Sequence, residues 1–314
     1  MRNRIIIPVL LFAIAIFAAA ADDGPSVSVR VHPAPKNPTN LRVDVNMALV
    51  PVTVMDSIGR NVTGLTPQNF RIFDGPKQVP IISFARQDQP ISVGLIFDCS
   101  RSMTDKYKIA RQAPAALYSQ LNPGDESFLV TFSTAPTLRQ DYTSEFSDIG
   151  NALLFTHPDG TTALFDAVLL GLSHLKEAHN PRKALVIVSD GGDNNSRYTL
   201  RELERIAVES DTQIFAIGLH QNPQAPEEVE GPAFLNDLVG KTGGIHFVIE
   251  NLNDMSQAMS KIGVTLHNQY VLGYYPPSGE QSGKYRQIKV QLLVPKGLPP
   301  MTIHARAGYY VPGR

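Results

Sequence analysis

One carboxylate and two hydroxyls fall at alternate positions in Asp98-Cys99-Ser100-Arg101-Ser102, directly after the apolar run Ile91-Ser92-Val93-Gly94-Leu95-Ile96-Phe97. Oxygen donors with no Cys or His contribution suit a hard divalent cation, Mg²⁺, Mn²⁺ or Ca²⁺, at roughly 2.0–2.6 Å, rather than Zn²⁺. The apolar run reads as a strand buried on both faces of a parallel sheet, and ligands of open α/β sheets bind outside the carboxyl ends of such strands. The pentapeptide alone also fits a plainer role, because short polar residues end strands and cap helices. Two further segments bear on the choice. Gly160-Thr161-Thr162-Ala163-Leu164-Phe165-Asp166-Ala167 opens a helical pattern, and Lys183-Ala184-Leu185-Val186-Ile187-Val188-Ser189-Asp190-Gly191-Gly192 is another apolar strand ending in a carboxylate. Three such element ends are able to converge on one sheet edge.

The elements that would position them run from 91 to about 268, where strand-like apolar runs alternate with helical patterns, the mark of a doubly wound, mostly parallel sheet with helices on both faces. Thr104 is placed to cap a helix reaching about Leu121, which Asn122-Pro123-Gly124-Asp125 stops. Ser127–Phe132 is the next strand, and Leu138 to Tyr142 an antiparallel edge. A helix starting in the Thr162 loop would turn its amides toward the candidate site, where they favour anionic groups. There follow the 183–189 strand, a helix from Thr199 to Glu209, a strand at Gln213–Leu219, a helix around Ala233 to Val239, the strand His246–Ile249 and a helix capped by Asn253 and ending near His267.

The flanks differ in texture. Residues 26–90 alternate, as in Leu41, Val43, Val45, Met47 and Leu49, with turns at Ser57-Ile58-Gly59 and Asp74-Gly75. In 269–314, Ile288, Val290, Leu292 and Val294 repeat the pattern. Neither flank is large enough to bury a core alone. They are expected to pair into one smaller β-sandwich-like domain into which the α/β domain, 91–268, is inserted.

The three site segments, in their order and spacing, resemble the von Willebrand factor type A domain and its metal-ion-dependent adhesion site. The resemblance implies that Ser100, Ser102 and Thr162 reach the metal directly, and that Asp98 and Asp190 act through water. Thr162 rather than Thr161 matches because it directly precedes Ala163-Leu164. Arg101 departs from the family, which commonly has Gly there; it is expected to be solvated rather than to steer partners. Val62 to Phe70 and Ala307-Gly308-Tyr309-Tyr310-Val311-Pro312 further resemble acidobacterial secreted proteins related to von Willebrand type A. With hydroxyls bound and carboxylates held back, such a site leaves the cation under-neutralised, with one position open to an Asp or Glu of another protein.

Composition narrows the field. Of 314 residues 43% are hydrophobic and 18% charged, and the formal net charge of −1 gives no general attraction to nucleic acid or an anionic membrane. Arg2 and Arg4, the apolar Ile5 to Phe17 and Ala18-Ala19-Ala20-Ala21 read in order as a secretory signal peptide over 1–21, after which no apolar run is long enough to span a bilayer. Cys99 is the single cysteine, so intramolecular disulfides are excluded, and it is expected to be a buried, inert thiol. A secreted chain without disulfides fits a bacterial periplasm or surface. The sequons at Asn61 and Asn194 are accordingly not read as glycosylated.

Several motifs are set aside. Gly240-Lys241-Thr242 follows a helical pattern and is a helix end rather than a phosphate loop. Asp193 with Asn194 is read as stabilising a turn rather than as an accessory cation site. The pairs Tyr274-Tyr275 and Tyr309-Tyr310 are read as cross-strand packing rather than a sugar-binding face. The sequence expectation is a secreted, non-enzymatic protein-binding module using Mg²⁺, Ca²⁺ or Mn²⁺. Two alternatives stay open: a metal-assisted hydrolase, for which His157 and His220 are the nearest candidate bases, and an architectural envelope protein with a vestigial metal loop.

Overall fold

Residues 47–311, apart from 88, 221–225, 278–281 and 296, are described by the computed structural model. In chain order the strands are β1 (Ala48–Asp56), β2 (Phe70–Asp74), β3 (Lys77–Val79), β4 (Ser83–Arg86), β5 (Ile91–Asp98), β6 (Glu126–Phe132), β7 (Pro136–Thr143), β8 (Arg182–Ser189), β9 (Gln213–Leu219), β10 (His246–Ile249), β11 (Tyr270–Tyr274), β12 (Tyr285–Leu292), β13 (Met301–Ala305) and β14 (Gly308–Tyr310). The helices are α1 (Tyr107–Ala110), α2 (Pro114–Tyr118), α3 (Ser147–Leu154), α4 (Leu164–His174), α5 (Leu200–Glu209), α6 (Pro226–Thr242) and α7 (Met255–Leu266).

The central sheet has the order β10-β9-β8-β5-β6-β7, parallel throughout except for the antiparallel edge strand β7. Its middle strands are apolar on both faces because both faces are covered. Val93, Leu95 and Phe97 of β5 pack with Met103, Tyr107 and Leu117 and with Met255, Met259 and Ile262 of α7. On the other face Ile96, Phe128 and Leu185 pack with Leu164 and Val168 of α4, Leu203 of α5 and Leu235 of α6. Gly94 allows this closeness, since a Cβ there would lie 2.3 Å from the Phe128 ring. The doubly wound fold expected from the sequence is present.

Three helices differ from the expectation. The segment after β5 is not one helix from Thr104: a 3-10 turn at Arg101–Met103 leads to α1 and, separately, α2. Pro114 is the physical reason, because its ring removes an amide donor and crowds the preceding turn, so it opens a helix rather than continuing one. Asn253 is not a cap; Asn251 accepts from the Asn253 amide at 3.1 Å and caps the 3-10 turn that precedes α7. The helix expected around Ala233 is the longer α6. Thr199, in contrast, caps α5 in a reciprocal box with Glu202.

The flanks form two antiparallel sheets, β13-β1-β11-β4 and β14-β12-β2-β3, each combining strands from before and after the α/β part. They pack on one shared core of Val50, Val52, Val54, Phe70, Ile72, Tyr270, Leu272 and Ile288. Val50, Val52 and Val54 of β1 face this core, while on the odd-numbered side Leu49 is exposed, as is Met47 just before the strand, and Thr53 and Met55 are buried, Met55 against the α/β part. Asp74 lies buried between the sheets, accepting from Tyr274 and Tyr309 hydroxyls at 3.0 Å each and from the Arg286 guanidinium. Tyr285 and Tyr310 face each other across β12 and β14 with ring centroids 5.3 Å apart, the expected cross-strand packing.

Val45–Arg314 group as one compact unit. Asn61 Nδ2 donates to Thr265 Oγ1 at 3.2 Å, and the Ala307 amide to the Lys241 carbonyl at 3.2 Å, tying the β-sandwich to α7 and α6. Among the described residues no helix is long and apolar enough to cross a membrane. The expected signal peptide over 1–21, and Leu41, Val43 and Val45, lie outside the described residues.

Candidate metal centre at the carboxyl edge of the sheet

Asp98 is the last residue of β5 and Asp190 directly follows the adjacent β8, so the parallel pairing of these strands delivers both acids to one edge. Backbone bonds draw the second loop to them: the Asp159 amide donates to the Cys99 carbonyl at 2.9 Å and the Arg101 amide to the Gly160 carbonyl at 3.2 Å. The Thr162 amide donates to Asn194 Oδ1 at 2.9 Å, and its carbonyl accepts from the Asn194 and Asn195 amides at 3.0 and 3.1 Å. The loops bearing Asp98, Ser100 and Ser102, then Thr162, then Asp190 are thus laced into one assembly.

Within it, Ser100 and Ser102 place their hydroxyl oxygens 3.0 Å apart. Asp98 is fully buried and satisfied, with Oδ1 accepting from the Ser100 amide at 2.8 Å and Oδ2 from the Ser189 hydroxyl at 2.6 Å. Asp190 differs. Its Oδ2 accepts from Lys106 Nζ at 3.1 Å, while its buried Oδ1 has no hydrogen-bond partner. Burial, and then the Asp190 charge, push the Asp98 carboxyl up to about 7 against the opposing bonds from Ser100 and Ser189. Gly191 has φ of +88°, and a Cβ on it would lie 2.6 Å from the Gly231 Cα, so α6 packs its backbone directly on the Asp190 loop.

The remaining candidates take plainer roles. Asp193 Oδ1 accepts from the Phe165 amide at 3.2 Å and the Ser196 hydroxyl at 2.6 Å, which fixes the turn and occupies an amide of the first turn of α4. The Asp166 amide is taken by Ser196 Oγ at 3.1 Å. These two first-turn amides therefore face the Asp190 loop, as expected, but are taken by its side chains, Asp193 and Ser196, rather than left open to an anionic partner group. Arg101 is exposed and pairs with Asp159 at 3.0 Å. Burial and then the Asp98 charge push the Cys99 thiol up to about 11, leaving it protonated and inert as expected. His157 is exposed, and His220 follows β9 with a buried, unpartnered Nε2. Lys241, near the end of α6, pairs with Asp237 and Glu204, so Gly240-Lys241-Thr242 is a helix end.

Lys106 escaped sequence reasoning. A lysine in Thr104-Asp105-Lys106 reads as a solvated helix residue, and what buries it is its contact with Asp190, 84 residues further on. Among the described residues no group of three or more His, Cys, Asp or Glu is gathered to hold a metal. The donor set here rests on hydroxyls with two carboxylates. That set, with a buried carboxylate oxygen lacking a partner, fits a hard divalent cation accompanied by water.

Residues 93–192 match the family model described as von Willebrand factor type A domain. No curated protein is similar enough to the chain to count as a match. A von Willebrand factor type A structure from Catenulispora acidiphila aligns with a TM-score of 0.50 at 12% identity, over 75% of each chain. The conserved hypothetical protein BatB from Bacteroides thetaiotaomicron aligns at 0.47 and 19%, over 55% of this chain and 96% of its own. The vWF domain of the type V pili tip protein Mfa5 from Porphyromonas gingivalis aligns at 0.49 and 11%, over 57% of this chain and 95% of its own. The residues that match the von Willebrand factor type A model, 93–192, carry every candidate ligand.

Proposed function

We propose that this chain is a secreted or periplasmic, non-enzymatic binding protein that recognises an exposed Asp or Glu of another protein through a divalent cation, Mg²⁺, Ca²⁺ or Mn²⁺. Ser100, Ser102 and Thr162 would hold the cation directly, and Asp98 and Asp190 would hold it through water. The supporting observation is the buried Asp190 Oδ1 without a partner, on the same carboxyl edge of the sheet as the loop that carries the paired Ser100 and Ser102 hydroxyls, within the residues matching the type A model. A buried acceptor left open is costly unless water or a cation completes it. When bound, the cation supplies a Lewis-acidic position for a carboxylate oxygen. The chain's residues orient that position: Ser189 and the Ser100 amide hold Asp98, and Asn194 holds the Thr162 loop. The charged, apolar and small-residue order of residues 1–21 supports export.

The test is a capture of bacterial envelope proteins on the mature chain, comparing Mg²⁺ with chelator and wild type with Asp98→Ala, followed by mass spectrometry. Proteins held by the metal-loaded wild type alone support the reading, provided that Asp98→Ala keeps the wild-type circular dichroism. The same proteins held under every condition would move attention to the β-sandwich.

A further inference from the structure

Lys106 is the cation that this chain itself brings to the centre. Its side chain is 7% exposed and that of Asp190 1%, with 3.1 Å between Nζ and Oδ2. The backbone that carries it is held by the turn after the serines: its amide donates to the Met103 carbonyl at 3.0 Å, and its carbonyl accepts from the Ile109 and Ala110 amides at 3.2 and 3.0 Å. A buried ammonium is stable only where an anion meets it, and one anion that meets Lys106 is Asp190, which belongs to the pair of acids that a divalent cation would share. Without Lys106 those acids would face each other at one edge with no buried cation among the described residues to separate them. The arrangement is not a closed ion pair, because Asp190 Oδ1 is left over.

We propose that the Lys106 ammonium is a built-in competitor for the divalent cation: it counters the charge of Asp190, one of the two acids at the centre, when metal is absent and lowers the affinity of the centre for metal when it is present. A divalent ion approaching Asp190 meets like-charge repulsion from an ammonium on the same carboxylate, and burial leaves that repulsion poorly screened. The site is then shaped in advance yet binds metal weakly. This inference rests on the cation-site reading above.

The experiment titrates Mn²⁺ and Mg²⁺ into wild type, Lys106→Met, Lys106→Arg and the double variant Lys106→Met with Asp190→Asn, by calorimetry and by thermal unfolding. Lys106→Met should melt lower than wild type without metal, bind both ions about tenfold more tightly or better, and recover its melting temperature as metal is added. Lys106→Arg should behave as wild type. The double variant, which loses one charge of each sign, should fold without metal and gain no affinity. If Lys106→Met needs metal to fold, the metal dependence of its refolding yield gives the same readout. Wild type that binds Mn²⁺ with Lys106→Met no tighter overturns the inference and leaves the cation site standing; no binding by any variant overturns both.

Discussion

Asp74 and Asp190 are both buried acids facing a cation from their own chain, Arg286 in the β-sandwich and Lys106 at the sheet edge. Around Asp74 every carboxylate oxygen is used: Arg286 on Oδ1, Tyr274 and Tyr309 on Oδ2, with a second Arg286 nitrogen on the Asp74 carbonyl at 3.1 Å. Burial, with the Asp74 bond and charge adding to it, pushes the Tyr309 phenol up to about 12, so it stays protonated and able to donate. Tyr274 is moved the same way by burial and by the Asp74 charge. Around Asp190 one oxygen is used by Lys106 and the other, buried, is left without a partner. The first centre joins strands from the two ends of the chain and is complete. The second, at the ends of β5 and β8, is incomplete by one partner, and that difference is what the proposed cation site rests on.

The comparison is broken most forcefully by Asp74→Ala. It takes the carboxylate away from the Arg286 guanidinium and from the Tyr274 and Tyr309 hydroxyls in the sandwich core and should cost about 3–5 kcal/mol in urea unfolding, with no change in the response to Mg²⁺. A loss as small as that of a surface substitution would mean that the centre is not closed. Next comes Gly191→Ala, which combines a left-handed backbone with a Cβ pressed against α6. It should cost about 1–3 kcal/mol and remove Mg²⁺-dependent stabilisation, because the Asp190 loop must move. Tyr309→Phe removes one of the two hydroxyls on Asp74 Oδ2 and should cost about 1–2 kcal/mol; a neutral result would show Tyr274 to be sufficient.

The smallest effect concerns the half-buried His246. Burial, and then neighbouring His220, lower His246 to about 4 from 6.5. The unfolded chain therefore takes up that proton more readily than the folded one, so the stability contribution is complete above about 6.5 and is lost as pH falls from there toward 4. Melting temperatures across that window should fall less steeply in His246→Asn than in wild type. Parallel curves would remove His246 from the account.

Much of the scaffold was legible in the sequence. Continuous apolar runs such as Val93–Phe97 and Ala184–Val188 have one stable use, in strands covered on both sides. What was not legible depends on contacts between distant residues. The inward face of β1 is Val50, Val52 and Val54, a choice made by packing against β2 and β11 rather than by alternation alone. Lys106 is buried against Asp190, which comes from another strand end 84 residues on, a partner that no local pattern contains. The amides of α4 that a sequence reading turns toward the candidate site are occupied by Asp193 and Ser196 from thirty residues further on, as their separations of 28 and 30 show.

The measurement that addresses the centre most directly is an electron paramagnetic resonance titration of Mn²⁺ into the wild-type chain and into Asp98→Ala, with Mg²⁺ as competitor. The account predicts one weakly bound Mn²⁺ per wild-type chain, displaced by Mg²⁺ and absent from Asp98→Ala. Equal Mn²⁺ binding by the two proteins, or none by either across the solubility range of the ion, would contradict it.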